Sequence, residues 1–183
     1  MRAFLAFEVS EDVTARLLGT QEELRRTGAD LGIVGRENIH FTVKFLGDVP
    51  DGAADEIDAR INKLELSGIE VAVRGVGVFP DLQRPRVVWA GVAAEDEGRM
   101  ESLSNGIIEA LDGIGRPEDH EFHAHITLAR VRGPRNKGSL ASFVRRNAAL
   151  DFGRTGIASL KLKSSVLTPS GPIYSDVREY ALR

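Results

Sequence analysis

Two short stretches carry the same pair of polar side chains at the same spacing, His40-Phe41-Thr42-Val43 and His125-Ile126-Thr127-Leu128. They lie 85 residues apart (125 − 40) and use two of the four histidines in the chain. Each opens a short apolar run that reads as a β-strand. Side chains of a strand alternate between faces, so His40 and Thr42 share one face, while Phe41, Val43 and Phe45 share the other and point into a core. The second copy splits in the same way, with His125 and Thr127 opposite Ile126 and Leu128. One copy alone means little, because His and Thr are ordinary strand residues; the recurrence carries the argument. An unperturbed imidazole titrates near ~6.5, so at neutral pH one histidine of a pair can be protonated while its partner is neutral. Two such groups and two hydroxyls around one small volume suit a tetrahedral phosphodiester. The neutral imidazole takes a proton from attacking water and the imidazolium gives one to the departing ribose oxygen, each transfer typically worth ~10²–10⁴-fold. The threonine hydroxyls can hydrogen-bond the non-bridging oxygens as charge builds there, which is electrostatic stabilisation rather than nucleophilic catalysis. No covalent intermediate and no cofactor are required.

Metal-dependent hydrolysis is the competing chemistry. His120, His123 and His125 fall within six residues of one another, with Glu118, Asp119 and Glu121 beside them, and histidines two apart on a strand can share a ligand sphere. Against this, the chain has no cysteine and no His-Glu-x-x-His or Asp-rich motif, so no metal is expected. His120 reads as a solvated loop residue. His123 shares the parity of His125, and a structural role is expected for it rather than a place in the site.

The elements that must position these residues follow from pattern. A chain of 183 residues with 42% apolar and 28% charged residues has ordinary globular composition and can bury a core as a single domain spanning 1–183, in two lobes that are not independent. The formal charge of −3 gives no global attraction for nucleic acid, so any affinity for RNA must come from a local basic patch. The apolar opening is too short for a signal peptide or membrane span, and a soluble, cytoplasmic protein is expected. Residues 2–9 read as a first strand, and Ser10, Glu11 and Asp12 then open a helix with Val13, Leu17, Leu18 and Leu24 on one face. The first motif strand covers 39–46. Gly47-Asp48-Val49-Pro50-Asp51 breaks it before a second helix bearing Ala54, Ile57, Ile61 and Leu64. Strands at 69–79 and 86–92 flank a proline-bounded loop. A third helix runs over 97–114 on Met100, Leu103, Ile107 and Leu111, and the second motif strand covers 125–131. A basic Gly/Pro loop, a short amphipathic segment with Leu140, Phe143 and Val144, and a closing hairpin turning at Thr168-Pro169-Ser170-Gly171-Pro172 complete the chain. The order of elements around the two motifs is similar, as in a duplicated α+β half.

At these residues the chain resembles the 2H phosphoesterase superfamily, named for two His-x-Thr-x motifs, and within it the RNA 2′,3′-cyclic phosphodiesterases, also called 2′-5′ RNA ligases. The resemblance rests on Arg2-Ala3-Phe4-Leu5-Ala6-Phe7, on residues 37–47 around the first motif, and on Gly77-Val78-Phe79-Pro80 with residues 84–89. It extends to His125-Ile126-Thr127-Leu128-Ala129-Arg130 and to residues 167–174. It implies a bilobal α+β fold in which two antiparallel sheets, as pseudo-twofold duplicated halves, face each other across a central cleft with helices outside. It also implies hydrolysis of RNA 2′,3′-cyclic phosphate ends, tRNA fragments among the candidates, to 2′-phosphomonoesters, with a reversible ATP-independent 2′-5′ joining reaction. By position His40 matches the proton donor to O3′, His125 the base that activates water, and Thr42 and Thr127 the phosphate-binding hydroxyls. Phe79 matches a ring that stacks on the terminal base. Arg130 matches a phosphate or ribose contact, although strict alternation from His125 puts it on the opposite face unless a bulge intervenes. Lys44 shares the face of His40 and Thr42, on the cleft wall or at a solvated strand end. Ala124 stands where the family usually has proline. Arg84, Arg86, Arg132, Arg135 and Lys137 could supply the local basic rim. A monomer is expected. Rival readings are a phosphodiesterase for small cyclic nucleotides or nucleotide-sugar cyclic phosphates, a non-catalytic module that binds RNA ends, and the metal-dependent hydrolase.

Overall fold

A computed structural model describes residues 1–50, 52–117, 122–169 and 171–183. His120 with Glu118, Asp119 and Glu121, together with Asp51 and Ser170, lies outside the described residues. The fold is α+β, with the order β1 (Arg2–Phe7), α1 (Glu11–Arg26), β2 (Leu31–Ile33), β3 (Phe41–Asp48), α2 (Ala53–Ile61), β4 (Ile69–Phe79), β5 (Val87–Ala94), α3 (Glu97–Ala110), β6 (His125–Val131), α4 (Lys137–Arg146), β7 (Asp151–Ile157), β8 (Ser159–Thr168) and β9 (Gly171–Ala181). Ser10 caps α1 by accepting from the Val13 amide at 3.4 Å, and Glu11 and Asp12 stand at the positive end of that helix. The amphipathic segment of Leu140, Phe143 and Val144 is α4, with all three side chains buried.

The strands run β7-β4-β5-β6-β3-β1-β8-β9, all pairings antiparallel, with β2 added beside β6. The two sheets expected from the resemblance are the halves β6-β5-β4-β7 and β3-β1-β8-β9, and they meet through one register pair, Phe41 with Ile126. Those residues occupy the same position in the two motifs. A twofold relation between the halves demands this, because only equivalent residues can pair across the axis.

The helices lock the halves together. In the first half of the chain, α1 packs against β6 and β7 of the second sheet, whereas α3, from the second half, packs against β3 as well as β5. Phe41, Val43, Ile126 and Leu128 join Leu17 and Ile107 of these helices in one buried apolar cluster. Burying a side chain of this size stabilises by roughly 1.5–3 kcal/mol. The helices therefore cover one face of the strands and leave the His and Thr face open.

Candidate active site

His40, Thr42, His125 and Thr127 all line one cleft of about 510 Å³. That volume falls within the ~300–1,000 Å³ usual for small-molecule sites. Residues 40–45 and 125–130 repeat the same burial sequence: half-buried, buried, half-buried, buried, buried, exposed. Alternation fails at the fifth position because each motif strand carries a bulge at the same place. Opposite β3, Leu5 pairs with Lys44 and Ala6 with Thr42, skipping Val43; opposite β6, Val88 pairs with Ala129 and Trp89 with Thr127, skipping Leu128. An extra residue in one strand shifts every later side chain to the other face.

The bulges settle three expectations made by strict alternation. Arg130 returns to the open face and lines the cleft. Lys44 does not: it is 4% exposed, turned with Val43 to the buried face, and absent from the cleft lining. Phe45, assigned to the core by alternation, is 59% exposed and lines the cleft instead. The duplication would have found it, since Phe45 lies five residues beyond His40, as Arg130 lies five beyond His125.

Gln21, missed in the sequence, holds the second bulge. It is buried on α1, and its Nε2 donates to the carbonyls of Leu128 and Val34, both at 2.9 Å. The Val34 amide donates to the same Leu128 carbonyl at 3.0 Å. A buried amide on an apolar helix face is the signal that could have flagged it.

Each histidine is held by the backbone two residues earlier and by aromatic rings. His125 Nδ1 lies 2.7 Å from the His123 carbonyl, so that nitrogen carries the proton and Nε2 keeps its lone pair. The His40 ring makes the equivalent bond to the Asn38 backbone. Phe4 stacks on His40 at 5.1 Å and Tyr174 meets it edge-on at 5.5 Å, while Phe79 meets His125 edge-on at 5.0 Å. Such pairs are each worth roughly 0.5–1.5 kcal/mol beyond area burial. Removal from water pushes His40 down to about 4, and the Lys163 ammonium adds to the effect. His125 is lowered too, chiefly by the same desolvation. Both imidazoles on their own are therefore neutral at neutral pH.

Lys163 belongs to a charge square beside His40. Its Nζ lies 2.6 Å from both Glu8 and Asp176, and Lys161 Nζ lies 2.8 Å from the same two carboxylates. Burial alone would raise Glu8 and Asp176, but the two ammonium groups outweigh it and hold both below the usual carboxylate range.

Phe79, matched by the resemblance to a ring that stacks on the terminal base, borders the cleft through His125. It packs on Trp89 at 5.1 Å and lines an adjoining cavity of about 670 Å³ that shares only His125 with the cleft. Gly77 makes room for that arrangement, since a side chain there would collide with the Trp89 ring. His123 lines the same cavity and contributes its carbonyl to His125. Of the basic residues, Arg84, Arg86, Arg132 and Lys137 gather around a shallow depression, and Arg132 also lines the cleft. Arg135 instead donates to the Gly28 carbonyl at 3.0 Å. Among the described residues there is no group of three or more His, Cys, Asp or Glu able to hold a metal ion, and no helix long and apolar enough to cross a membrane.

The LigT like Phosphoesterase family matches the chain twice, over residues 7–89 and 92–174. The second match begins 85 residues after the first (92 against 7), the separation of His40 from His125. A protein of Aeropyrum pernix named RNA 2′,3′-cyclic phosphodiesterase is 35% identical over 91% of this chain and 95% of its own length. One of the same name from Archaeoglobus fulgidus is 34% identical over 98% and 99%. A crystal structure of a Thermus thermophilus protein superposes with a TM-score of 0.82 at 30% identity, covering 100% of this chain and 98% of that one. Apo LigT of E. coli shares the fold, with a TM-score of 0.78 at 19% identity over 99% and 96%. The chain belongs to the LigT-like phosphoesterase family.

Proposed function

We propose that this phosphoesterase hydrolyses RNA ends bearing a 2′,3′-cyclic phosphate to 2′-phosphomonoesters, without a metal, by acid–base catalysis between two histidines. The observation that carries the reading is the convergence of both His/Thr pairs, from equivalent bulged strands, on one cleft with Arg130. The name borne by relatives at 34–35% identity over nearly the whole chain supports the substrate class. His125, with Nε2 unprotonated, takes a proton from water as it attacks phosphorus in line. The P–O3′ bond breaks, and His40 gives its proton to O3′. Burial favours the neutral form of His40, and a phosphate anion placed beside it favours the imidazolium. Thr42 and Thr127 donate to the non-bridging oxygens as charge builds there, and Arg130 offers its charge to the RNA backbone from the same cleft. With a 5′-hydroxyl in place of water as the nucleophile, the same transfers form a 2′-5′ linkage and need no ATP, and their reverse opens that linkage to the cyclic phosphate.

The test is an oligoribonucleotide ending in a 2′,3′-cyclic phosphate, with the product terminus assigned by NMR and confirmed by its sensitivity to a phosphomonoesterase. A 2′-phosphate is expected. Predominant 3′-phosphate would overturn the assignment of roles, and no hydrolysis would overturn the reading.

A further inference from the structure

The catalytic groups alone cannot tell one ester oxygen from the other. His40 and Thr42 are related to His125 and Thr127 by the 85-residue repeat, with the same bulge and the same burial sequence. Turning the cyclic phosphate end for end while His40 remains the acid would put O2′ in place of O3′ beside it and deliver the other phosphomonoester. A site built as two equal halves therefore needs a device that breaks the symmetry.

The first cleft-facing position after each bulge is where the halves differ in chemistry. One half has Phe45, whose ring is 59% exposed and rests on Phe4 at 5.9 Å, the same Phe4 that stacks on His40. The other has Arg130, exposed and in no ion pair among the described residues. Neighbours extend the contrast. Ile173 of the β8–β9 hairpin, 58% exposed, lines the cleft with Phe45. On the other side Arg132 lines the cleft and continues into the basic depression with Arg84, Arg86 and Lys137.

We infer that Phe45 and Arg130, at equivalent positions of the two halves, set the orientation of the RNA end and so decide which ester bond is cut. This rests on the proposed hydrolysis. The terminal base presents an apolar face to the Phe45 ring and Ile173, and the preceding phosphate meets Arg130 and Arg132. The reversed pose sets an anion against Phe45 and leaves Arg130 without one. In the favoured pose the cyclic ester is turned so that O3′ lies toward His40, with the acid, and water enters in line beside His125.

The test reads the ratio of 2′- to 3′-phosphate ends from a cyclic-phosphate oligoribonucleotide cut by wild type, Phe45→Ala, Arg130→Met and the exchanged double variant F45R/R130F. Each single variant is expected to raise the minor isomer about tenfold or more, and the double variant to make it the major one. A structural role for either residue would lower the rate and leave the ratio alone. If a variant is too slow to yield a readable terminus, titration with a dinucleotide ending in a 2′-monophosphate and with its 3′-isomer, both of which keep the preceding phosphate, reads the same preference as a ratio of Kd values, which must shift by a similar factor. Unchanged ratios in both single variants overturn the inference even though wild type cuts the RNA. Absence of cutting by wild type would instead be failure of the proposed function.

Discussion

At the level of single residues, catalysis rests on two imidazoles with different tasks. His40→Ala and His125→Ala should each lower turnover by ~10²–10⁴-fold while RNA binding changes little, because proton transfer acts in the transition state. Single-turnover rates and filter binding on the same variants separate the two effects, and a variant keeping more than about a tenth of the wild-type rate would count against a two-histidine mechanism. The lowered titration of both groups, His40 to about 4, gives a second expectation with a definite sign. The productive free enzyme has His40 protonated and His125 neutral, so kcat/KM should be bell-shaped with both limbs below the ordinary histidine value of ~6.5. The limbs belong to the coupled pair rather than to either residue. In kcat they should move to higher pH, because bound phosphate favours the imidazolium forms. A kcat/KM that climbs steadily through alkaline pH would speak for metal-bound hydroxide instead.

At the level of elements, the paired bulges aim the site, and Gln21 on α1 fastens one of them. Gln21→Leu leaves the Val34 carbonyl without its partner and should destabilise the fold by ~1–3 kcal/mol, seen as a lower urea midpoint. It should also raise KM, since Arg130 loses its aim; a drop in stability with unchanged KM would detach the bulge from binding. These bulges explain where the sequence was legible and where it was not. The His/Thr pairs could be read because residue type, spacing and recurrence survive without coordinates, and Ile69–Phe79 was visible as a long alternating run. Lys44 and Phe45 exchanged faces because a period of two cannot register one inserted residue. Two strands went unseen for other reasons. Leu31–Ile33 has three residues with glycine at its centre, and Asp151–Ile157 carries two glycines and two charged residues, so pairing with β4 rather than local propensity makes it a strand.

At the level of the whole molecule, two equivalent halves joined at Phe41 and Ile126 make one cleft, and an acidic chain of net charge −3 concentrates cations near its rim. If Arg132, Arg84, Arg86 and Lys137 follow the RNA backbone, KM for a cyclic-phosphate oligonucleotide should rise steeply between 50 and 200 mM salt, roughly the range over which counterion release shows, while KM for a cyclic mononucleotide changes far less. Equal salt dependence for the two substrates would remove these side chains from the RNA path. Above all, the duplicated cleft should cut the cyclic ester with its own histidines. That is tested most directly by following a cyclic-phosphate-ended oligoribonucleotide with protein stripped by chelator and assayed in its continued presence, without ATP. An undiminished rate and a 2′-phosphate end are expected; loss of activity that returns on adding a divalent metal would contradict a metal-free, two-histidine reaction.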